Sequence, residues 1–153
     1  MSVTHAFVSP KSDGSDESLA QPSDWNANHT IGDLDKGQIV VVFDAGNSVI
    51  SGNPEVDVRV PGSGTITSYT LLADASGSAV IDIWKDIYGN FPPTDADSIT
   101  FTTPPTLTSA IKATDSTLTN WTKTLAAGDI LRFHLDSSST VKRLTLTLAY
   151  TRS

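Results

Sequence analysis

Apolar and polar residues alternate along the middle of the chain, most clearly in the stretch SAVIDIWKDIYGNFPP at residues 78–93. The small and branched apolar side chains fall on one side of this alternation, and Asp82 and Trp84 fall on the other. A period of two is typical of a half-buried β-strand. The strand must end before Pro92 because proline has no N–H to donate to a sheet ladder. The pattern therefore predicts a central strand with a carboxylate and an indole on its outer face.

The same strand-like pattern recurs on both sides of this segment, in stretches separated by turn-forming residues. These stretches are residues 37–44, 56–60, 65–74, 99–102, 110–113, 129–137 and 141–151. Residues 65–86 together predict a hairpin whose short loop is Ala75-Ser76-Gly77. No window has a convincing helical period, and residues 19–28 allow one turn of helix at most. Short strands at regular intervals predict an all-β fold, a jelly-roll-like β-sandwich over residues 37–153.

Residues 1–36 differ from the rest of the chain, because they have six acidic residues against two basic ones and few apolar residues. Such a segment cannot bury a core of its own. Its large side chains still favour burial, and the predicted anchors are Phe7, Pro22, Trp25 and Ile31. We interpret residues 1–36 as an extended N-terminal arm that docks onto a neighbouring subunit or a larger assembly. Docking onto its own β-domain is the alternative.

Composition and charge narrow the function classes. The 153 residues have a formal net charge of −7, and 15 of the 17 acidic residues are aspartate, which favours turns and strand ends over helices. No basic stripe is present, which argues against nucleic acid and against an anionic membrane surface as partners. No run approaches the roughly 20 apolar residues of a membrane span, and the N-terminus does not resemble a signal peptide. The absence of cysteine fits synthesis in the cytoplasm.

No catalytic or cofactor motif is present in the sequence, and the three histidines are isolated from one another. We therefore predict no enzyme activity, no cofactor and no metal site. A glycosidase-type carboxylate pair and a calcium site are disfavoured, because the Asp-x-Asp spacing at Asp95 and Asp97 also suits a turn. The clearest ligand candidates are the residues in and after the central strand that combine acid and aromatic groups: Asp82, Trp84, Tyr88 and Phe91. Packing of Trp84 and Trp121 in the core or in a subunit interface is the alternative.

Two parts of the chain resemble structural proteins of tailed bacteriophages. Residues 4–31 are similar to the opening of many such proteins, in which a PSDWNA-type pattern precedes a β-domain. The matching residues are Phe7, Val8, Ser9, Asp13, Gly14, Leu19, Pro22, Ser23, Asp24, Trp25, Asn26, Ala27, His29 and Ile31. Residues 77–100 and 118–148 resemble a β-domain that recurs in phage virion proteins.

The resemblance implies a non-enzymatic virion protein that is assembled in the host cytoplasm and commonly forms a homotrimer. Because this chain has no collagen-like or coiled segment, we favour a capsid decoration (cement) protein that binds the major capsid protein or other virion proteins. The alternative is a tail fibre or tail-tip module that recognises a host surface glycan through Trp84, Tyr88, Phe91 and the nearby acidic residues. A carbohydrate-active enzyme is the third and weakest hypothesis.

Overall fold

The computed structural model describes residues 2–3, 11–15, 21–26, 29–30 and 34–153. The chain divides into two compact units, residues 1–35 and residues 36–153, beside the boundary predicted at residue 36. The elements in chain order are β1 (Ser2–Val3), α1 (Pro22–Asn26), β2 (His29–Thr30), β3 (Lys36–Asp44), β4 (Glu55–Arg59), β5 (Gly64–Asp86), β6 (Thr106–Asp115), β7 (Thr124–Leu125), β8 (Ile130–Ser139) and β9 (Arg143–Arg152). Two short 3-10 helices, Tyr88–Asn90 and Asp95–Asp97, follow β5.

The first unit contains a helical turn and a pair of short strands. In α1, the backbone N–H of Ser23 donates to Asp13 Oδ1 over 2.9 Å, and the N–H of Gln21 donates to Asp24 Oδ2 over 2.8 Å. The N–H of Gly14 donates to Gln21 Oε1 over 2.8 Å. Hydrogen bonds from the side chain of Ser23 and, second, from its N–H lower the pKa of Asp13. Polar side chains therefore connect residues 13–14 with the start of the helix, in a stretch that has no apolar run.

The second unit is built around β5, which is a single strand of 23 residues. The predicted hairpin over residues 65–86 is therefore wrong. One edge of β5 pairs with β9 along its first half and with β8 along its second half, while β6 lies along the other edge. The register with β6 shifts between Leu72 and Gly77. A glycine is needed at position 77 in this irregular stretch. The Cβ of any other residue there would lie only 2.4 Å from the carbonyl oxygen of Ser139 and would clash with it.

The second unit confirms the all-β class. Its strands form one antiparallel sheet of seven strands in the order β3-β9-β5-β8-β4, with β6 and β7 paired to β5 off this path. Because all seven strands belong to one connected sheet, a sandwich of two separate sheets is not confirmed. The predicted strand at residues 99–102 is absent, and a single β-bridge joins Ser98 to Trp84 there.

The core lies against one face of this curled sheet. In β3 every second residue is buried, so the apolar run at residues 37–43 alternates between core and solvent. The sheet contributes Leu71, Ile83, Phe133, Leu144 and Leu146, each with 0% exposed surface. Burial of each such side chain contributes about 1.5–3 kcal/mol before the loss of conformational entropy is subtracted. Trp121 completes the core, since it is 7% exposed and its ring stacks on Tyr69 at 5.8 Å between centroids.

Candidate functional site

Two of the four candidate ligand residues, Asp82 and Trp84, lie on strand β5, on the face of strands β4, β8 and β5 that points away from the core. The register of the three strands places Glu55 beside His134 and His134 beside Asp82 in one row. Asp57, Arg132 and Trp84 form the adjacent row. Acidic, basic and aromatic side chains therefore alternate across the face, at the distances over which cross-strand neighbours interact.

Asp82 is the most completely bonded carboxylate of this face. Its Oδ2 accepts a hydrogen bond of 2.7 Å from Trp84 Nε1. Its Oδ1 accepts bonds from Ser98 Oγ at 2.8 Å, from the N–H of Ile83 at 2.7 Å, and from Thr100 Oγ1. A carboxylate has about four acceptor positions, and Asp82 accepts four hydrogen bonds from its own fold, three of them at Oδ1. Asp82 is only 8% exposed, and its role in this arrangement is structural.

Trp84 is covered as well, because its ring stacks on His134 with 4.6 Å between centroids. The exposed fraction of Trp84 is 8%, close to that of Asp82. The expectation that Asp82 lies on a solvent-exposed face is therefore wrong, and Trp84 is packed rather than open to a ligand. Both side chains point away from the core, but Ser98, Thr100 and His134 lie over them. His134 is held in turn by Asp136, whose Oδ1 lies 2.6 Å from His134 Nδ1.

Arg132 is the centre of the neighbouring row. Its Nε and Nη2 each donate a 2.8 Å hydrogen bond to the carboxylate of Asp57, and its Nη1 lies 2.9 Å from Glu55 Oε2. These bonds, led by those to Asp57, raise the pKa of Arg132 further. The guanidinium carbon lies 5.6 Å from the centre of the Phe91 ring, which is within the range of a cation–π contact. Two carboxylates and one aromatic ring therefore fix the orientation of this cation.

The loop after β5 keeps its aromatic side chains in solvent. Tyr88 is 73% exposed and Phe91 is 51% exposed. The loop is anchored by Asp86, whose Oδ1 accepts 2.7 Å and 3.2 Å bonds from the N–H of Ile87 and from Asn90 Nδ2. The peptide bond between Phe91 and Pro92 is cis. Tyr88 begins the 3-10 turn, and the N–H of Phe91 donates to the Tyr88 carbonyl oxygen over 3.3 Å, so the two exposed rings are at the two ends of one turn.

The four candidate residues thus form two pairs in different settings. Asp82 and Trp84 belong to a buried hydrogen-bonded layer, while Tyr88 and Phe91 form the exposed part, together with Arg132 beneath Phe91. Asp97 is used locally, since its Oδ2 accepts bonds from both N–H and Oγ1 of Thr94, which is the turn role that the sequence allowed. The described part of the chain contains no group of three or more metal-ligating side chains placed to hold an ion.

The predicted anchors of the arm are described only in part. Pro22 is half-buried at the start of α1. Phe7, Ile31 and the side chain of Trp25 lie outside the described residues.

Sequence reasoning gave no role to Arg132, Glu55 or Asp57. The sequence contains a signal for this charged face, because Glu55 and Asp57 occupy alternate positions of β4 while Arg132 and His134 occupy alternate positions of β8. The register that brings these rows together joins residues more than seventy positions apart, and the sequence alone does not supply it.

No protein-family model matches the chain, and comparisons with curated proteins and with solved structures find no significant match. No helix in the described ranges is long and apolar enough to cross a membrane.

Proposed function

We propose that this chain is a non-enzymatic structural protein of a tailed-phage virion, assembled in the host cytoplasm. Its role in this proposal is capsid decoration: it binds the head surface, stabilises the shell across subunit boundaries, and has itself and the major capsid protein as partners. The residues that resemble phage proteins are the basis of the proposal.

One observation supports it above all. Two aspartates of the resembling pattern, Asp13 and Asp24, accept bonds from the N–H groups of Ser23 and Gln21 at the start of helix α1, and the N–H of Gly14 donates to Gln21 Oε1. The two aspartates of the pattern therefore have a structural role, since the carboxylate of each accepts a backbone N–H at the start of a helix. A folded element of this kind in a separate unit, residues 1–35, is suited to attach the β-domain to another protein.

The bonding of the outer face supports a structural role over a catalytic one. A general acid or base must be able to reach a substrate atom within hydrogen-bond distance. Asp82 instead accepts four bonds from its own fold, and Asp86 and Asp97 each orient a neighbouring turn. Asp82, Asp86 and Asp97 therefore use their carboxylates to hold the fold together.

The test compares the full chain with a fragment of residues 36–153 for cosedimentation with phage heads that lack the protein. Decoration through the N-terminal unit predicts that the full chain sediments with heads and that the fragment does not. Far-UV circular dichroism must show that the fragment keeps its β-structure. Equal binding of the fragment, or no binding of either protein, would contradict the proposal.

A second candidate function is a tail module that recognises a host surface glycan. Its support is the exposed pair Tyr88 and Phe91, with the charged group of Arg132 against one ring. Exposed aromatic faces and fixed polar groups are a common combination in small-ligand sites. This function predicts that Tyr88→Ala abolishes binding to host cells, whereas Phe101→Ala, at a 59% exposed phenylalanine, does not. Equal cell binding by both variants would refute it.

A further inference from the structure

Strand β3 has a free edge that is unlike the other edges of the sheet. It is the outermost strand of the path β3-β9-β5-β8-β4, and no strand of the described residues pairs with its outer side. A free edge presents a row of backbone donors and acceptors to any extended chain, so proteins usually protect long edges by charge, by proline or by bulges.

The other edges carry such protection. Strand β4 is five residues long, and its outward positions are the charged residues Glu55, Asp57 and Arg59. Strand β6 is irregular, because its register with β5 shifts twice and Ser109 has a φ of 45°. Strand β7 has only two residues.

Strand β3 lacks these features. It pairs with β9 through nine consecutive residues with no shift of register, so its edge is long and regular. Residues 37–43 contain neither a charge nor a proline. Two of its outward side chains, Val40 and Val42, are 53% and 48% exposed. A regular, uncharged and partly apolar edge is the type that accepts another strand.

The opposite charges at the two ends of β3 indicate which strand can pair with its free edge. The strand begins at Lys36 and ends at Asp44, with Val40 at its midpoint. We infer that β3 pairs with β3 of a second copy in antiparallel orientation, about a two-fold axis at Val40. Each Lys36 then lies opposite Asp44 of the other copy, and the two Val40 side chains lie opposite each other.

This pairing suits both ends of the strand. A two-fold contact repeats every interaction, so one favourable lysine–aspartate pair in the register gives two. Opposite charges and branched apolar side chains are both favourable cross-strand neighbours. Asp44 keeps its existing bond to the N–H of Gly46 through Oδ1 and lies beside Arg143 of β9, so the lysine of the second copy adds to these contacts. Parallel pairing in the same register would set Lys36 against Lys36, and Asp44 against Asp44.

The inference goes beyond the proposed function and does not depend on it. It can be tested on the full chain by sedimentation velocity over a range of concentrations. The wild type should show a reversible self-association. Val40→Lys should weaken it about fivefold or more, because two lysines then meet at the axis. The matched control is Val49→Lys, at a 43% exposed valine outside the strands, which should leave association unchanged.

A charge exchange tests the orientation and the register. Lys36→Glu should weaken association about tenfold, because it places like charges at both ends of the pairing. Adding Asp44→Lys to the same chain should restore most of the affinity, which only antiparallel pairing about Val40 predicts. Circular dichroism of each variant checks that the fold is intact. A monomer at every concentration would overturn the inference, and a strand from a different protein would then be the partner to test at this edge. An assembly that Val40→Lys leaves unchanged, or a charge exchange without rescue, would overturn it as well.

Discussion

Asp82→Asn is the substitution that most directly tests the buried layer beneath the candidate site. An asparagine has the shape of aspartate but replaces one acceptor oxygen with an N–H₂ donor. In the wild type, the indole N–H of Trp84 donates to Oδ2 over 2.7 Å. If the amide nitrogen of the asparagine takes the position of Oδ2, two donors face each other and this bond is lost. If the amide is reversed, it faces the donors of Ser98, Thr100 and Ile83. No orientation keeps all of the bonds.

The expected loss of stability is that of the amide orientation that loses fewer hydrogen bonds. A hydrogen bond to a charged group contributes about 1.5–3 kcal/mol, and a buried donor left without a partner costs a similar amount. We therefore expect Asp82→Asn to lower the free energy of unfolding by about 2–3 kcal/mol. With a urea m-value of about 1–3 kcal/mol/M for a domain of this size, the midpoint should fall by about 0.7–3 M.

The assay is urea unfolding at neutral pH, followed by tryptophan fluorescence and far-UV circular dichroism. Asp86→Asn is the matched control on the same strand. Its Oδ1 accepts both local bonds, so an asparagine can preserve them and should change stability by about 0.5 kcal/mol or less. Equal costs for the two substitutions, with unchanged m-values, would refute the assignment of Asp82 to a buried structural network of hydrogen bonds.

Three further predictions concern the sheet and its turns. Gly64→Ala should destabilise the fold by about 1–3 kcal/mol, because its Cβ would lie 2.3 Å from the carbonyl oxygen of Thr151, whereas Gly62→Ala, with no atom within 4 Å, should be nearly neutral in urea unfolding. Arg132→Lys should lower the free energy of unfolding by about 1 kcal/mol, since lysine cannot form the paired bonds to Asp57. A double-mutant cycle with Asp57 measures the coupling energy of the pair, and a coupling energy near zero would contradict a stabilising role of these bonds. The N–H of Thr117 holds the pKa of Asp115 below 3.8, so this carboxylate stabilises the fold above that pH and the contribution disappears as the pH falls through the lowered value. The stability difference between wild type and Asp115→Asn should therefore shrink in acid, and a constant difference across the pH range would be the contrary result.

The strands near the C-terminus could be predicted closely from the sequence. Residues 129–137 and 141–151 correspond to β8 (Ile130–Ser139) and β9 (Arg143–Arg152). A large apolar side chain is buried at every second position over residues 131–135 of β8 and 144–150 of β9, so the period of two is clear there. The burial alternation in β3 was hidden, because its outward Val40 and Val42 are apolar too.

The long strand β5 could not be predicted, because Ala75-Ser76-Gly77 has the composition of a turn. In the structure this stretch continues the strand, with β6 on one edge and β8 and β9 on the other. Those partners lie far along the chain, and local composition does not contain their register.

The candidate site shows the same limit. Alternation correctly placed Asp82 and Trp84 on the face away from the core, but it gave no information on what covers that face. The cover comes from Ser98 and Thr100 in the following loop and from His134 on another strand. The exposed loop at Tyr88 was easier to predict, because proline and glycine end the sheet locally.

The location and copy number of the chain in a virion test the central proposal most directly. Phage particles are separated into heads and tails, and quantitative mass spectrometry measures this chain relative to the major capsid protein in each fraction. The decoration proposal predicts that the chain is found with heads, in a fixed and high ratio to the major capsid protein. A few copies confined to tails, or absence from both fractions, would contradict it.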